Sequence, residues 1–306
     1  MKTPLSSTTI TFIIIIIIST TISPPQPVTS LGSSSTIAIS YSSNSATTVC
    51  GIIAGASTKR IQCYKQGQIV SIQPNLSYES ISGGHGFFCG LRSGGFSLLC
   101  WNTTNFHVKR IYYSSTHRLT NLTVGNSQIC ATQANSGVAF CWRFVSPEVA
   151  WNFLTITSGG GFSCGILEKN NAMRCWGGSE IENVIQTQFG NATMLSLVAG
   201  ESHACGVTKN GTLICKGRNV AGQLDVPPHS AFDFSTLALG ANHSCAVKRK
   251  NGLVVCWGGK PERSGFDSGV MNNESFESIV AGLDFTCGLT TKNLSVICWG
   301  QDGPVG

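Results

Sequence analysis

The segment AGLDFTCGLTTKNLSVICWG (residues 281–300) decides the fold: a glycine, four residues, a cysteine, then ten residues and Cys-Trp-Gly. Upstream the first half recurs as GGHGFFCGL (83–91), GGGFSCGIL (159–167), AGESHACGV (199–207) and LGANHSCAV (239–247). Working outward, the cysteines fall into seven consecutive pairs: Cys50/Cys63, Cys89/Cys100, Cys130/Cys141, Cys164/Cys175, Cys205/Cys215, Cys245/Cys256 and Cys287/Cys298. First members are spaced by 39, 41, 34, 41, 40 and 42 residues, and five pairs are separated by 11. Gly stands five residues before the first cysteine in six repeats, with Ser45 in the other. Trp follows the second cysteine at Trp101, Trp142, Trp176, Trp257 and Trp299, with Tyr64 and Lys216 in the remaining two. A period near 40 residues, repeated seven times, is the mark of a repeat architecture.

Within each unit the residues read as short strands. Phe276-Glu277-Ser278-Ile279-Val280 alternates as a half-buried strand does. Two cysteine-bearing strands follow, joined by turn residues such as Gly94-Gly95, Asn170-Asn171, Asn210-Gly211 and Asn251-Gly252. Across a hairpin with an even-length loop, residues 11 apart can stand directly opposite on one face, close enough for a disulfide. We therefore expect seven disulfides within repeats. The Cys50/Cys63 and Cys205/Cys215 pairs depart from 11 and call for another loop length or a bulge. Zinc is a poor reading of the same cysteines, because no C-x₂-C spacing occurs and histidines do not accompany the pairs. A sheet of three or four strands cannot bury both faces alone. Stacking seven around an axis solves this and leaves no open end to cap, so the expected fold is an all-β, seven-bladed β-propeller. The Trp after each second cysteine is expected between blades, and Ile37–Tyr41 is expected to lead the first.

Of 306 residues only 11% are charged, 42% are hydrophobic and 35 are Gly, which is not the composition of a disordered chain. The net charge of +6 is spread out; its densest run, Lys248-Arg249-Lys250, is too short for a nucleic-acid groove. Lys2 precedes an apolar core over 10–18, then small polar residues and Pro24-Pro25. That is the layout of a signal peptide over 1–23, with cleavage expected between Ser19 and Ser23. Residues 24–35 form a Ser/Pro-rich lead-in, and 36–306 form the propeller. No other stretch approaches the roughly 18 apolar residues of a membrane helix. Fourteen cysteines behind a signal imply an oxidising compartment. Eight N-x-S/T sequons make Asn75, Asn102, Asn121, Asn191, Asn210, Asn242, Asn273 and Asn293 candidate glycosylation sites. The expected location is the secretory pathway, ending outside the cell or on its surface.

The phrase G-x-x-x-x-C-G-L followed by C-W-G resembles the crinkly repeat, over about residues 36–303. That repeat forms the ectodomain of crinkly-related plant receptor-like serine/threonine kinases, themselves similar to the regulator-of-chromosome-condensation propeller. The resemblance implies a cysteine-rich module, one membrane helix and a cytoplasmic kinase after the propeller. None of these follows here: a Gly-rich phosphate loop, V-A-I-K, H-R-D and D-F-G are all missing. The chain thus reads as the front part of a receptor kinase, with a kinase-less secreted relative as the alternative.

Two repeat positions carry candidate groups. Two residues before each first cysteine stand Thr48, Phe87, Gln128, Phe162, His203, His243 and Phe285. Histidines alternating with Phe read as packing residues with a satisfied polar tip rather than as a switch. His85, Glu201 and Asp284 lie near turns on the rim, where propellers commonly meet partners. No Ser-His-Asp or Cys-His set and no carboxylate pair stands out. The expectation is a chain with no catalytic, cofactor or metal site. It binds an extracellular peptide or protein as the ectodomain of a receptor-like kinase; a free secreted lectin or inhibitor is the runner-up. A nuclear exchange-factor propeller conflicts with the signal and the oxidised cysteines.

Overall fold

The computed structural model describes residues 36–42, 45–53, 58–143, 145–147, 151–259 and 273–300. The expected signal peptide (1–23), the lead-in (24–35) and the last six positions of the propeller segment lie outside the described residues.

The described chain forms seven antiparallel sheets, one per repeat, each laid down in chain order. The seven first strands are Ile37–Ser42, Tyr78–Gly83, Leu119–Val124, Phe153–Ser158, Val198–Ala199, Phe234–Leu239 and Phe276–Ala281. Second and third strands carry the paired cysteines, and blades 1 and 2 add a fourth, Gln68–Ile72 and Val108–Tyr113. In every blade the two cysteines are register partners, with Cα atoms 3.9–4.2 Å apart, as in a non-hydrogen-bonded antiparallel pair. The two pairs of unusual separation need no bulge between their strands. Cys205 and Cys215 flank a five-residue loop over 208–212, and Cys50 and Cys63 flank a longer one over 53–60.

Because strands alternate in direction, each first strand reaches its motif glycine at one end of the ring, here termed the mouth end. Each second strand returns to a hairpin at the opposite, hairpin end. Backbone hydrogen bonds join neighbouring blades at both ends. At the mouth, Gly160 N donates to Glu201 O (3.0 Å), Glu201 N to Gly240 O (3.1 Å) and Ala241 N to Leu283 O (2.8 Å). At the hairpin end, Leu119 N donates to Gly95 O, Phe153 N to Gly137 O and Phe276 N to Gly252 O, all at 2.8 Å.

This close docking explains the motif glycine. A Cβ on Gly84, Gly125, Gly159 or Gly200 would overlap the carbonyl oxygen of the motif glycine one blade on. On Gly240 it would meet Leu283 O. None of the five has positive φ, so the requirement is space for the neighbouring backbone, not an unusual conformation.

The core is a ring of seven apolar clusters, one in each gap between blades. Trp101 fills the gap between blades 1 and 2, Trp176 that between 3 and 4, Trp257 that between 5 and 6, and Trp299 that between 6 and 7. Trp142 packs half-buried in the gap between blades 2 and 3. The clusters between blades 4 and 5 and between blades 7 and 1 contain no Trp.

Between blades 4 and 5 the missing ring is replaced by an element that the strand-only reading does not contain, the helix Glu180–Phe189. Its buried Ile181, Ile185 and Phe189, four residues apart, fill the gap with Met173 and Met194. Ser179 caps it, accepting from Glu182 N (3.3 Å), while Glu182 Oε2 accepts from Gly178 N (2.6 Å). The helix also occupies the place of a fourth strand. Gln186 Oε1 accepts from Cys175 N and Gln188 Oε1 from Gly217 N, both at 2.9 Å, satisfying strand edges otherwise open.

The gap between blades 7 and 1 holds Ile37, Ile39, Val49, Phe285, Cys287, Leu289 and Val296. Among the described residues neither sheet borrows a strand from the other, and this apolar cluster lies between them.

Candidate functional site

The first strands of all seven blades line an axial cavity of about 140 Å³, walled by aliphatic residues such as Ile39, Val124, Val198 and Leu239. That is well below the ~300 Å³ at which small-molecule pockets begin, so the channel has room for a few waters rather than a metabolite. Its polar features concentrate at the mouth.

There, residues following the motif glycines point toward one another across the axis. Asn126 of blade 3 donates through Nδ2 to Glu201 Oε1 of blade 5 (2.7 Å). Tyr41 of blade 1 places its hydroxyl 2.6 Å from Asn126 Oδ1 and 3.3 Å from Glu201 Oε2. Burial, then the charge and hydrogen bond of Glu201, push the Tyr41 phenol well above its ordinary range. Tyr41 is therefore a neutral donor, and the shorter contact identifies Asn126 as its acceptor. His85 stands exposed at the equivalent position of blade 2, with its ring 5.8 Å from that of Tyr41 in an edge contact. The structure thus joins Glu201 and His85 to Tyr41, while Asp284 sits half-buried in the blade 7 turn.

Asn126 and Tyr41 are absent from the sequence-based candidates. Asn126 was findable, because it occupies the same repeat position as His85 and Glu201, directly after the motif glycine. Tyr41 carries no such signal; its role arises from closure of the ring. Chemically the trio is a brace across three blades: the Tyr41 hydroxyl donates to the Asn126 amide, which in turn donates to the Glu201 carboxylate. Glu201 Oε1 takes the Asn126 hydrogen, and Oε2 stands 3.3 Å from the Tyr41 oxygen at the mouth.

The position two before each first cysteine faces the next blade. His203 Nε2 lies 2.9 Å from Ser244 Oγ, and Ser244 Oγ donates to Gln223 O (2.9 Å). That leaves Ser244 to accept and makes His203 the Nε2–H tautomer. His243 Nε2 is 2.9 Å from Thr286 Oγ1, and Gln128 Nε2 donates to Phe162 O (3.0 Å). Thr48, Phe162 and Phe285 are buried in the same role, while Phe87 is half-buried with the Arg143 guanidinium 5.0 Å from its ring centre. Burial lowers His203 to about 4 and His243 to about 3, the charge of His203 adding to the second shift. Both are neutral packing groups near pH 7.

All fourteen cysteines lie in disulfides, paired as Cys50–Cys63, Cys89–Cys100, Cys130–Cys141, Cys164–Cys175, Cys205–Cys215, Cys245–Cys256 and Cys287–Cys298. The sequence draws no distinction between the two members of a pair, and the fold corrects this. First members, on the second strand of each blade, are fully buried. Second members, on the third strand, are screened only as well as their outer neighbour allows. In blades 1 and 2 a fourth strand covers Cys63 and Cys100, and in blades 4 and 5 the helix Glu180–Phe189 lies beside Cys175 and Cys215. All four are buried, with Cys100 at 8% the most accessible of them. Cys141, Cys256 and Cys298 are half-buried, because blades 3, 6 and 7 have no fourth strand among the described residues.

Of the sequon asparagines, Asn75, Asn191, Asn210, Asn273 and Asn293 are exposed, and Asn102, Asn121 and Asn242 are half-buried. Among the described residues no three His, Cys, Asp or Glu side chains gather as a metal site, and no helix is long and apolar enough to cross a membrane.

Comparison with known proteins agrees with this geometry. The family model described as the regulator of chromosome condensation (RCC1) repeat matches residues 195–223. The putative serine/threonine-protein kinase-like protein CCR3 of Arabidopsis thaliana is 43% identical over 180 residues, 56% of this chain and 22% of CCR3. The kinase-like protein CCR4 of the same plant is 30% identical over 238 residues, 73% of this chain and 29% of CCR4. The chain thus spans under a third of the length of these relatives. The crystal structure of the entire ectodomain of the Physcomitrella patens receptor kinase CR4 superposes with a TM-score of 0.73 at 28% identity. It covers 88% of this chain and 74% of that one. The CRINKLY WD40 ectodomain of the Arabidopsis receptor kinase ACR4 gives 0.73 at 25% identity, covering 90% and 98%. The homologues of this chain are therefore the crinkly-related serine/threonine-protein kinase-like proteins, and its structural neighbours are CRINKLY receptor-kinase ectodomains with RCC1-like repeats.

Proposed function

We propose that residues 36–306 are the extracellular, ligand-binding propeller of a receptor-like serine/threonine kinase. The observation that carries this reading is the match, across about nine-tenths of the chain, to two receptor-kinase ectodomains. Seven intra-blade disulfides agree with folding in an oxidising compartment. The signal peptide over 1–23 directs export, and the ligand is an extracellular peptide or protein. The propeller supplies recognition; a membrane helix and a kinase encoded downstream supply transmission. Antiserum raised against the propeller should detect, in the source tissue, a membrane-embedded polypeptide much larger than 306 residues. That polypeptide should carry the H-R-D and D-F-G motifs. A soluble product no longer than this chain would overturn the receptor reading in favour of a free secreted binding module.

A further inference from the structure

The eight sequons are scattered along the sequence, but the fold sorts them by end. Asn75, Asn191, Asn210, Asn273 and Asn293 all fall in turns of the hairpin end, and all five are exposed. Asn75 and Asn273 precede the first strands of blades 2 and 7. Asn210 and Asn293 sit in the hairpins joining cysteine strands of blades 5 and 7. Asn191 follows the helix beside the Ala172–Thr193 bridge, at the blade 4 hairpin. Asn293 accepts through Oδ1 from Thr290 Oγ1 (2.6 Å) and Ser295 N (3.2 Å), which leaves Nδ2 for a glycosidic bond.

The other three differ. Asn121 lies within the first strand of blade 3, and its Nδ2 donates to both Thr132 Oγ1 and Leu154 O, each at 3.0 Å. A glycosylated amide keeps one hydrogen, so it cannot make both bonds, and the sugar would have to occupy the space of the neighbouring blade. Asn102 and Asn242 are half-buried at the mouth end. Asn102 Oδ1 holds the turn through Thr104 N and Asn105 N, while Thr103 is buried with its N donating to Gly86 O. Asn242 O accepts from Gly259 N, tucking its turn against the end of blade 6.

We infer that N-glycans form a one-sided coat on this propeller, carried by Asn75, Asn191, Asn210, Asn273 and Asn293. Asn121 is never modified, and the mouth end around Tyr41, Asn126 and Glu201 carries less sugar than the hairpin end. The inference rests on export of the chain. To test it, the full chain is secreted from plant cells and its N-glycans are removed enzymatically in heavy-oxygen water. The reaction marks each formerly glycosylated asparagine as a labelled aspartate, read by peptide mass spectrometry. The expected result is label at the five hairpin-end sites, each above Asn102 and Asn242, and none at Asn121. Label at Asn121 in folded, secreted protein, or more label at the mouth end than at the hairpin end, overturns the one-sided coat while leaving export intact. A secreted pool without label at any site overturns the coat. An unlabelled chain that is retained in the cell with Met1 intact overturns export, and the coat with it.

Discussion

The most exacting prediction concerns Gly159, an ordinary-looking glycine with no positive φ. Gly159→Ala puts a methyl group against Gly200 O of the next blade and the Phe162 ring. Both backbones are fixed, since Gly159 N donates to Phe162 O (2.9 Å) and Gly200 N to His203 O (2.8 Å). Removing a glycine stiffens the unfolded chain and alone would stabilise by about 0.4–1 kcal/mol. Overpacking opposes this by roughly 1–3 kcal/mol per inserted group, and the upper end applies where the contact is backbone that cannot rotate away. The net loss should be about 2 kcal/mol, lowering Tm by roughly 3–4 °C for a domain of this size. The paired control is Gly67→Ala. Gly67 has a φ of +78° but open space around its Cβ, so only conformational strain of about 1–2 kcal/mol applies. Thermal melts followed by circular dichroism, with urea titrations to give free energies, compare the two. If Gly67→Ala costs more than Gly159→Ala, the close-approach explanation of the motif glycine is wrong.

Acid should loosen the ring through its histidines. His203 and His243 titrate lower in the fold than the ordinary 6.5, so their contribution is complete above pH 6.5 and is lost as pH falls toward about 4 and 3. At ~1.4 kcal/mol per unit, His203 alone removes roughly 2 kcal/mol by pH 5, and His203→Gln should flatten that part of a stability-versus-pH curve. Replacing Cys164 and Cys175 together by Ser should destabilise by about 3 kcal/mol on the loop-entropy model, and non-reducing peptide maps of the parent should show that pair linked. Ile185→Ala, which empties the centre of the gap between blades 4 and 5, should cost about 2–5 kcal/mol in denaturant titrations; Ser179→Ala should cost about 1.

The repeat made most of the fold legible, because a blade is defined by residues that recur. Gly, Cys, Cys and Trp each answer a local demand: room for a neighbouring carbonyl, a cross-strand bond, and a filled gap. The helix Glu180–Phe189 escaped because it lies between repeats and leaves the 41-residue spacing from Cys164 to Cys205 unchanged. Its signals were present nonetheless, in Ser179 followed by Glu182 and in Ile181, Ile185 and Phe189. That blades 1 and 2 alone carry a fourth strand among the described residues is less readable, since an edge strand is held by lateral pairing rather than by its own pattern. The half-burial of Cys141 and Cys256 follows from that edge and was hidden for the same reason. The brace at the mouth was half visible. Glu201 and His85 stood out by charge, whereas Asn126 and Tyr41 gain meaning only when seven blades bring non-consecutive repeats together.

The joint between blades 7 and 1 has a consequence for how the ring behaves under load. Six of the seven gaps are tethered by the loop between their two blades, which keeps the facing surfaces at high effective concentration even when they part. Blades 7 and 1 are not consecutive in the chain, so Ile37, Ile39, Phe285 and Leu289 meet through the ring rather than across a connecting loop. A small error in curvature at any blade therefore accumulates around the circle and is felt there. The joint acts as a latch: it reports, as one cooperative contact, whether all seven blades are correctly formed.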